Sequence, residues 1–281
     1  MLWKNILPGD FQNAVKESKG LCIIPIGCVE AHGVHLPLGC DTIWGAGLVK
    51  EVAEREKVVV FPEIYFGEKS GAGEYPGTII FPTTLIWQIL EHSCYEIHRN
   101  GFHKILLVSS HGGNSAMLQA FVRQILQKKP EFNVYFYNLG LPKMAEMLDR
   151  PEEYPYLQES DWECLRDYRA QGKKGGHGCF RETGICYYVC PELCDLSKMN
   201  DKDGTSRHLF DEFNSRQIYT PFGWMGDYPD SLSADYHEGM NERIARAFAE
   251  YDMRFLSEAV RFLKEEQVSV EFHKQWLKKQ K

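Results

Sequence analysis

Glu30, His32, His35 and Asp41 fall within twelve positions of one another in the run IGCVEAHGVHLPLGCDT. A carboxylate and an imidazole two residues apart project the same way in an extended segment. Glu30 and His32 can therefore offer one oxygen and one nitrogen to a metal ion. Asp41 opens a predicted helix, where an aspartate ordinarily serves as N-cap. Any one of these residues alone is more often structural, but their joint arrival behind an apolar run reads as a ligand cluster. A second group, LLVSSHGGNSAML, brings Ser109, Ser110, His111 and Asn114 to the end of another apolar run. Its glycines permit tight turning and close backbone approach, and Asn114 suits a helix N-cap. No GKS/T follows the Gly-Gly pair, so a P-loop is rejected. A third group, KKGGHGCFRETG, supplies His177 and Glu182. Their separation fits a turn leading into a helix better than one helical face. Two Glu, one Asp and two or three His at loop ends make a mixed oxygen and nitrogen donor set, suited to zinc or manganese and sufficient for two ions. Two ions sharing a carboxylate can hold a hydroxide at neutral pH and polarise a carbonyl, which is what amide hydrolysis requires.

These groups need strands to carry them to one place. Leu21–Gly27, Val58–Phe61, Thr78–Phe81, Lys104–Ser110 and Asn133–Leu139 read as strands, several apolar throughout as expected when both faces are covered. Helical patterns lie between them over 42–56, 84–99 and 114–128. The alternation predicts an α/β fold with a mostly parallel sheet flanked by helices, in which ligands collect at the carboxyl ends of strands. Residues 140–176 read as a helical excursion and 200–235 as irregular. A long amphipathic helix is expected over Glu238–Glu266, with the basic end HKQWLKKQK frayed. Without a repeat or linker, 1–281 reads as one domain.

The net charge of −7 argues against nonspecific binding to nucleic acid or an anionic membrane. No apolar stretch approaches the roughly 20 residues of a bilayer span, and the first residues do not resemble a signal peptide. Nine scattered cysteines suit reduced thiols in a cytoplasm. Cys186, Cys190 and Cys194, spaced by four, fit either a thiolate site or one packed helix face, and the tendency of free cysteine to be buried favours packing. His92, His98, His103, His208, His237 and His273 read as surface or packing residues. Asp227 reads as a turn-fixing residue.

The segments VEAHGVHLPLGCDT, YPGTI, SSHGGN, HGCFRETG and GWMGDYPDSLSADYHEG, in that order over roughly residues 20–266, resemble the creatininase (creatinine amidohydrolase) family. The resemblance implies an α/β fold with a two-metal site. Glu30, Asp41 and His111 would serve one ion and His32 and Asp41 the other, with Asp41 bridging. His177 matches the family's catalytic histidine, which would carry a proton to the leaving nitrogen. Where the family places a metal-binding glutamate the chain has Gly113, and Glu182 is assigned in its stead. Two aromatic positions that enclose creatinine are Gly112 and Lys173 here, so creatinine itself is not the expected substrate. The local GAGEYPGT places Glu74 near the site in place of a family histidine. His35, Glu74, Asn114 and Lys173 are the candidate substrate or supporting contacts.

The expected function is hydrolysis of a non-peptide C–N bond in a small cyclic or linear amide by metal-activated hydroxide. The cofactors would be two divalent ions, zinc or manganese, with iron as a further option. A deformylase or a hydrolase of cyclitol ring ketones could use the same centre. A non-catalytic metal- or metabolite-binding protein is the reading from another class. The resemblance also implies a homo-oligomer, a hexamer among the options. Residues 67–75 and 140–176 are the expected specificity segments.

Overall fold

The computed structural model describes residues 1–280 except 70, 141–143, 173–175, 200–205 and 229–236. Lys173 therefore lies outside the described residues. Four parallel strands form one sheet: β1 (Leu21–Ile26), β2 (Val59–Val60), β3 (Lys104–Ser109) and β4 (Asn133–Asn138), in the order β2-β1-β3-β4. Parallel neighbours require crossover connections. Helix α1 (Phe11–Glu17) precedes β1, and α2 (Cys40–Glu56) leads from β1 out to β2. Helix α3 (Thr83–Arg99) brings the chain back past β1 to β3, and α4 (Asn114–Gln124), tightening into a 3-10 turn at Ile125–Lys128, leads on to β4. The direction of travel across the sheet thus reverses between β1 and β3.

The period-two geometry of a strand explains why β1 and β3, covered on both faces, are buried along their whole length. Leu21, Ile23, Leu106 and Val108 face a core shared with α2, α7 (Phe180–Val189) and α10 (Glu242–Glu265). Cys22, Ile24, Ile26, Ile105 and Leu107 face the opposite core, made with α3 and α4. The 140–176 region contains helices α5 (Met144–Leu148) and α6 (Glu159–Ala170), which add Met147, Leu165 and Tyr168 to the first core. Two short helices, α8 (Asp211–Ser215) and α9 (Gly223–Asp227), form within the described residues 206–228, part of a stretch expected to be irregular.

Two expectations are corrected. Residues 78–81 do not form a strand. One bond, Ile79 N–H to the Val29 carbonyl at 3.0 Å, ties this segment to the loop after β1, and Ile79 and Ile80 are exposed. Pro76 and Pro82 bracket the run and Gly77 turns it at φ +88°, so no ladder can extend. The basic end HKQWLKKQK is not frayed through Lys279 either: it belongs to helix α11 (Val268–Lys279), anchored by buried Val270 and His273 and entered through the Glu266 carboxylate accepting from Ser269 N–H at 3.0 Å.

Candidate metal centre

The loop after β1 carries Cys28, Glu30, His32 and His35; the loop after β3 carries His111. Both leave the carboxyl ends of adjacent strands at the point where the sheet's direction of travel reverses, the crevice in which open α/β sheets take ligands. Asp41 is the second residue of α2 and Glu182 lies in the first turn of α7, each placing a carboxylate where the helix end favours negative charge. Gly39, not Asp41, is the N-cap of α2, which frees the Asp41 side chain to turn inward.

Glu30, His32, Asp41 and His111 are buried polar residues of one cluster. Asp41 Oδ1 lies 3.1 Å from His32 Nε2, and its Oδ2 lies 2.9 Å from His111 Nδ1. Glu30 Oε1 is 3.0 Å from His111 Nδ1 and 3.5 Å from His177 Nδ1. Glu182 Oε2 stands 3.9 Å from His32 Nε2 and accepts the Gly178 N–H at 2.6 Å. The His177 ring stacks over His32 with centroids 3.9 Å apart.

The tautomers follow from the partners. A backbone carbonyl can only accept, so the ring nitrogen facing it carries the hydrogen. His32 Nδ1 faces the Glu30 carbonyl at 3.2 Å, His111 Nε2 the Glu68 carbonyl at 2.8 Å, and His177 Nε2 the Ala31 carbonyl at 2.7 Å. In all three rings the other nitrogen points at carboxylate oxygens. A neutral imidazole there would set lone pair against lone pair, so the centre calls for cations or extra protons. Its donor set matches a metal site with outer-sphere carbonyls orienting the histidines. Ligand-capable atoms converge within 4.8 Å in three overlapping groups: Cys28/Glu30/Asp41/His111, Glu30/His32/His177 and His32/Asp41/Glu182.

Charge follows the same logic. Burial disfavours the charged form of every group here, yet His32 is pushed up to about 10 by Asp41, and His111 to about 10 by hydrogen bonds with Asp41 and Glu30. Asp41 is held well below the usual carboxylate range against its burial, chiefly by His32 and His111. Glu30 is likewise lowered, by His177 and His111. Burial and the neighbouring Asp41 raise Glu182 to about 7. His177 is pushed down to about 3 by burial and by His32.

Of the other candidates, His35 is buried and its Nε2 lies 2.8 Å from Thr183 Oγ1, joining the first loop to α7. Asn114 does not cap α4, whose N-cap is Gly113. Its Oδ1 accepts the Glu68 N–H at 2.8 Å while its Nδ2 donates to the Gly27 carbonyl at 3.3 Å and Ser109 Oγ at 3.2 Å. It knits three loops behind the cluster. Glu74 is exposed, and the contacts above do not include it. Gly113 is fixed by close approach: a Cβ there would stand 2.5 Å from His111 Nε2 and 2.9 Å from the Glu68 carbonyl oxygen.

Two residues escape the sequence reading. Cys28 Sγ lies 3.2 Å from Glu30 Oε1 and 3.1 Å from Asp41 Oδ2. The period of two that pairs Glu30 with His32 extends back to it and could have found it. Lys69 ion-pairs with Glu30 Oε2 from the 66–69 loop, and no local pattern announces this.

The family model described as creatininase, creatinine amidohydrolase, matches residues 8–251. A creatinine amidohydrolase of Pseudomonas putida is 21% identical over 226 residues, covering 79% of this chain and 82% of its own. A mycofactocin precursor peptide peptidase of Mycolicibacterium smegmatis is 31% identical over 111 residues, 36% of this chain and 43% of its own. Solved creatininases share the fold, a mutant form with a TM-score of 0.70 at 19% identity and a manganese form with 0.67 at 18%. Each alignment covers 94% of this chain and 99% of the other.

Proposed function

The chain belongs to the creatininase family of hydrolases, and from that premise we propose that it is a metal-dependent amidohydrolase cleaving a C–N bond of a small cyclic or linear amide. We assign Glu30, Asp41 and His111 to one divalent ion, His32, Asp41 and Glu182 to the other, and proton transfer to His177. Zinc and manganese suit the mixed donors, with iron a further option. The observation that carries the reading is the set of three histidines whose carbonyl partners force their remaining nitrogens onto three carboxylates. When bound, such ions supply Lewis acidity and lower the pKa of water into the neutral range.

The chain's own groups divide the remaining work. Asp41 offers one oxygen to each half of the centre, holding the two positions in register. His177 is locked by the Ala31 carbonyl with its Nδ1 lone pair toward the cluster, and its low basicity keeps that nitrogen empty at neutral pH. It can accept a proton at Nδ1 and release it to the departing nitrogen. A purely metal-binding protein would have no use for this histidine beyond its ligands.

Amides, formamides, ring ketones and short peptides form the discriminating panel, with products detected by mass. Turnover of an amide that chelation abolishes and zinc or manganese restores is expected; turnover of ketones alone, or none under any metal, would sink the reading. His177→Ala should lower turnover by about 100-fold or more while metal content stays unchanged. A second reading, hydrolysis of a peptide bond, is favoured by the peptidase relative, and cleavage of the peptides in the panel would select it.

Two further assignments complete the proposal. All nine cysteines are free thiols, which suits a reducing cytoplasm. Leu38, Ile79 and Ile80 are exposed apolar side chains close to the loop after β1, and Leu38 contacts the chain at Gly77. We assign this patch to self-association in a homo-oligomer.

A further inference from the structure

We propose that Cys186, Cys190 and Cys194 form a second, separate metal site, a three-thiolate site for a soft d10 ion, zinc in the first instance. The three are not one face of a helix: α7 ends at Val189, leaving only Cys186 inside it. Pro191 stops the helix and starts a 3-10 turn at Pro191–Leu193, with Leu193 N–H donating to the Cys190 carbonyl at 3.0 Å. That turn folds Cys194 back onto the helix end. Cys190 Sγ then lies 3.6 Å and Cys194 Sγ 3.8 Å from Cys186 Sγ, and all three fall within 4.8 Å of one another. Zinc–thiolate bonds of about 2.3 Å in tetrahedral geometry give a sulfur–sulfur edge of about 3.8 Å. A disulfide would need about 2.05 Å. Cys40, at the start of α2, is buried in the same core as Cys186.

As thiols, Cys190 and Cys194 donate through Sγ to the carbonyls of Cys186 and Cys190, at 3.3 and 3.5 Å. Ion binding releases the three thiol protons to solvent, with no change of oxidation state. The site tethers the segment after α7 to the body of that helix. Glu182 is one turn before Cys186, so the soft site braces the helix that holds one carboxylate of the other centre. It rests on none of the assignments made there.

The test compares full-length protein, purified reduced and without oxygen, with its Cys190→Ser/Cys194→Ser variant. Wild type should retain one more equivalent of zinc per chain. Titration with cadmium should give a near-ultraviolet thiolate charge-transfer band that the variant largely loses. Equal zinc and equal bands would overturn the proposal. Should the variant misfold, wild type alone decides: saturating cadmium should slow alkylation of Cys190 and Cys194 about tenfold or more, and a chelator should restore it. Alkylation indifferent to cadmium, or a Cys190–Cys194 disulfide in freshly reduced protein, would equally overturn it. Asp41→Asn should leave this equivalent in place, so failure at one centre is readable apart from failure at the other.

Discussion

Asp41 gives one carboxylate oxygen to His32 and the other to His111, so its loss should disturb both halves of the centre at once. Glu182 pairs with His32 on one side of the centre, and Glu182→Gln should cost one equivalent of bound metal where Asp41→Asn costs two, as read by elemental analysis. The metal-free protein should also show a distinct pH response. His32 and His111 have folded pKa values raised to about 10, so their contribution to stability is complete below about 6.5 and is lost as pH climbs through about 10. Chelated protein should therefore melt at lower temperature at pH 10 than at pH 7. Because ligation displaces those protons, metal affinity should rise over the same interval, with proton release visible by calorimetry in buffers of different ionisation enthalpy. Gly113→Ala is a narrower probe. Its Cβ would press on His111 Nε2 and the Glu68 carbonyl, so metal affinity should fall while the fold persists.

At the scale of elements, α7 and α10 hold the back of the centre. Arg181, next to Glu182 and partly exposed, forms an ion pair with the buried Asp252 of α10. Removing one partner of a buried pair leaves the other charge uncompensated. Asp252→Asn should destabilise the protein by about 3 kcal/mol, measured by urea unfolding, and an unchanged midpoint would refute that role. The far end of α10 is finished from the sheet: Lys104, fully buried at the start of β3, donates through Nζ to the carbonyls of Leu263 at 2.7 Å and Glu266 at 2.6 Å. A cation there meets the negative end of the helix and its orphan carbonyls together. The start of α10 is capped by Asn241, whose Oδ1 accepts from Arg243 N–H at 2.9 Å and Ile244 N–H at 3.1 Å.

Across the whole molecule, strand order converts separated motifs into one crevice. The β2-β1-β3-β4 order puts the loops after β1 and β3 side by side although about 80 residues separate them. Sedimentation or light scattering should report an assembly larger than one chain. Ile79→Asp with Ile80→Asp should shift it toward the monomer without unfolding it, since both side chains are exposed; a wild-type protein that is monomeric at all concentrations would remove the assignment. No helix among the described residues is long and apolar enough to cross a membrane.

Local chemistry made much of this legible. The apolar runs of β1 and β3 announce buried parallel strands, and the period of two brings Glu30 and His32 together from the sequence alone. Glu182 stands out in its local group with His177, but its assignment to the second ion comes only through the family pattern, in place of the acid that Gly113 lacks. Tertiary structure decided the rest, because the deciding contacts join residues with no periodic relation. These are the carbonyls that fix the histidine tautomers, Lys69 on Glu30, and His35 on Thr183. Residues 78–81 show the converse. Their composition satisfied the strand pattern, but a strand exists only where a partner's donors and acceptors line up with it, and that alignment is a property of the fold.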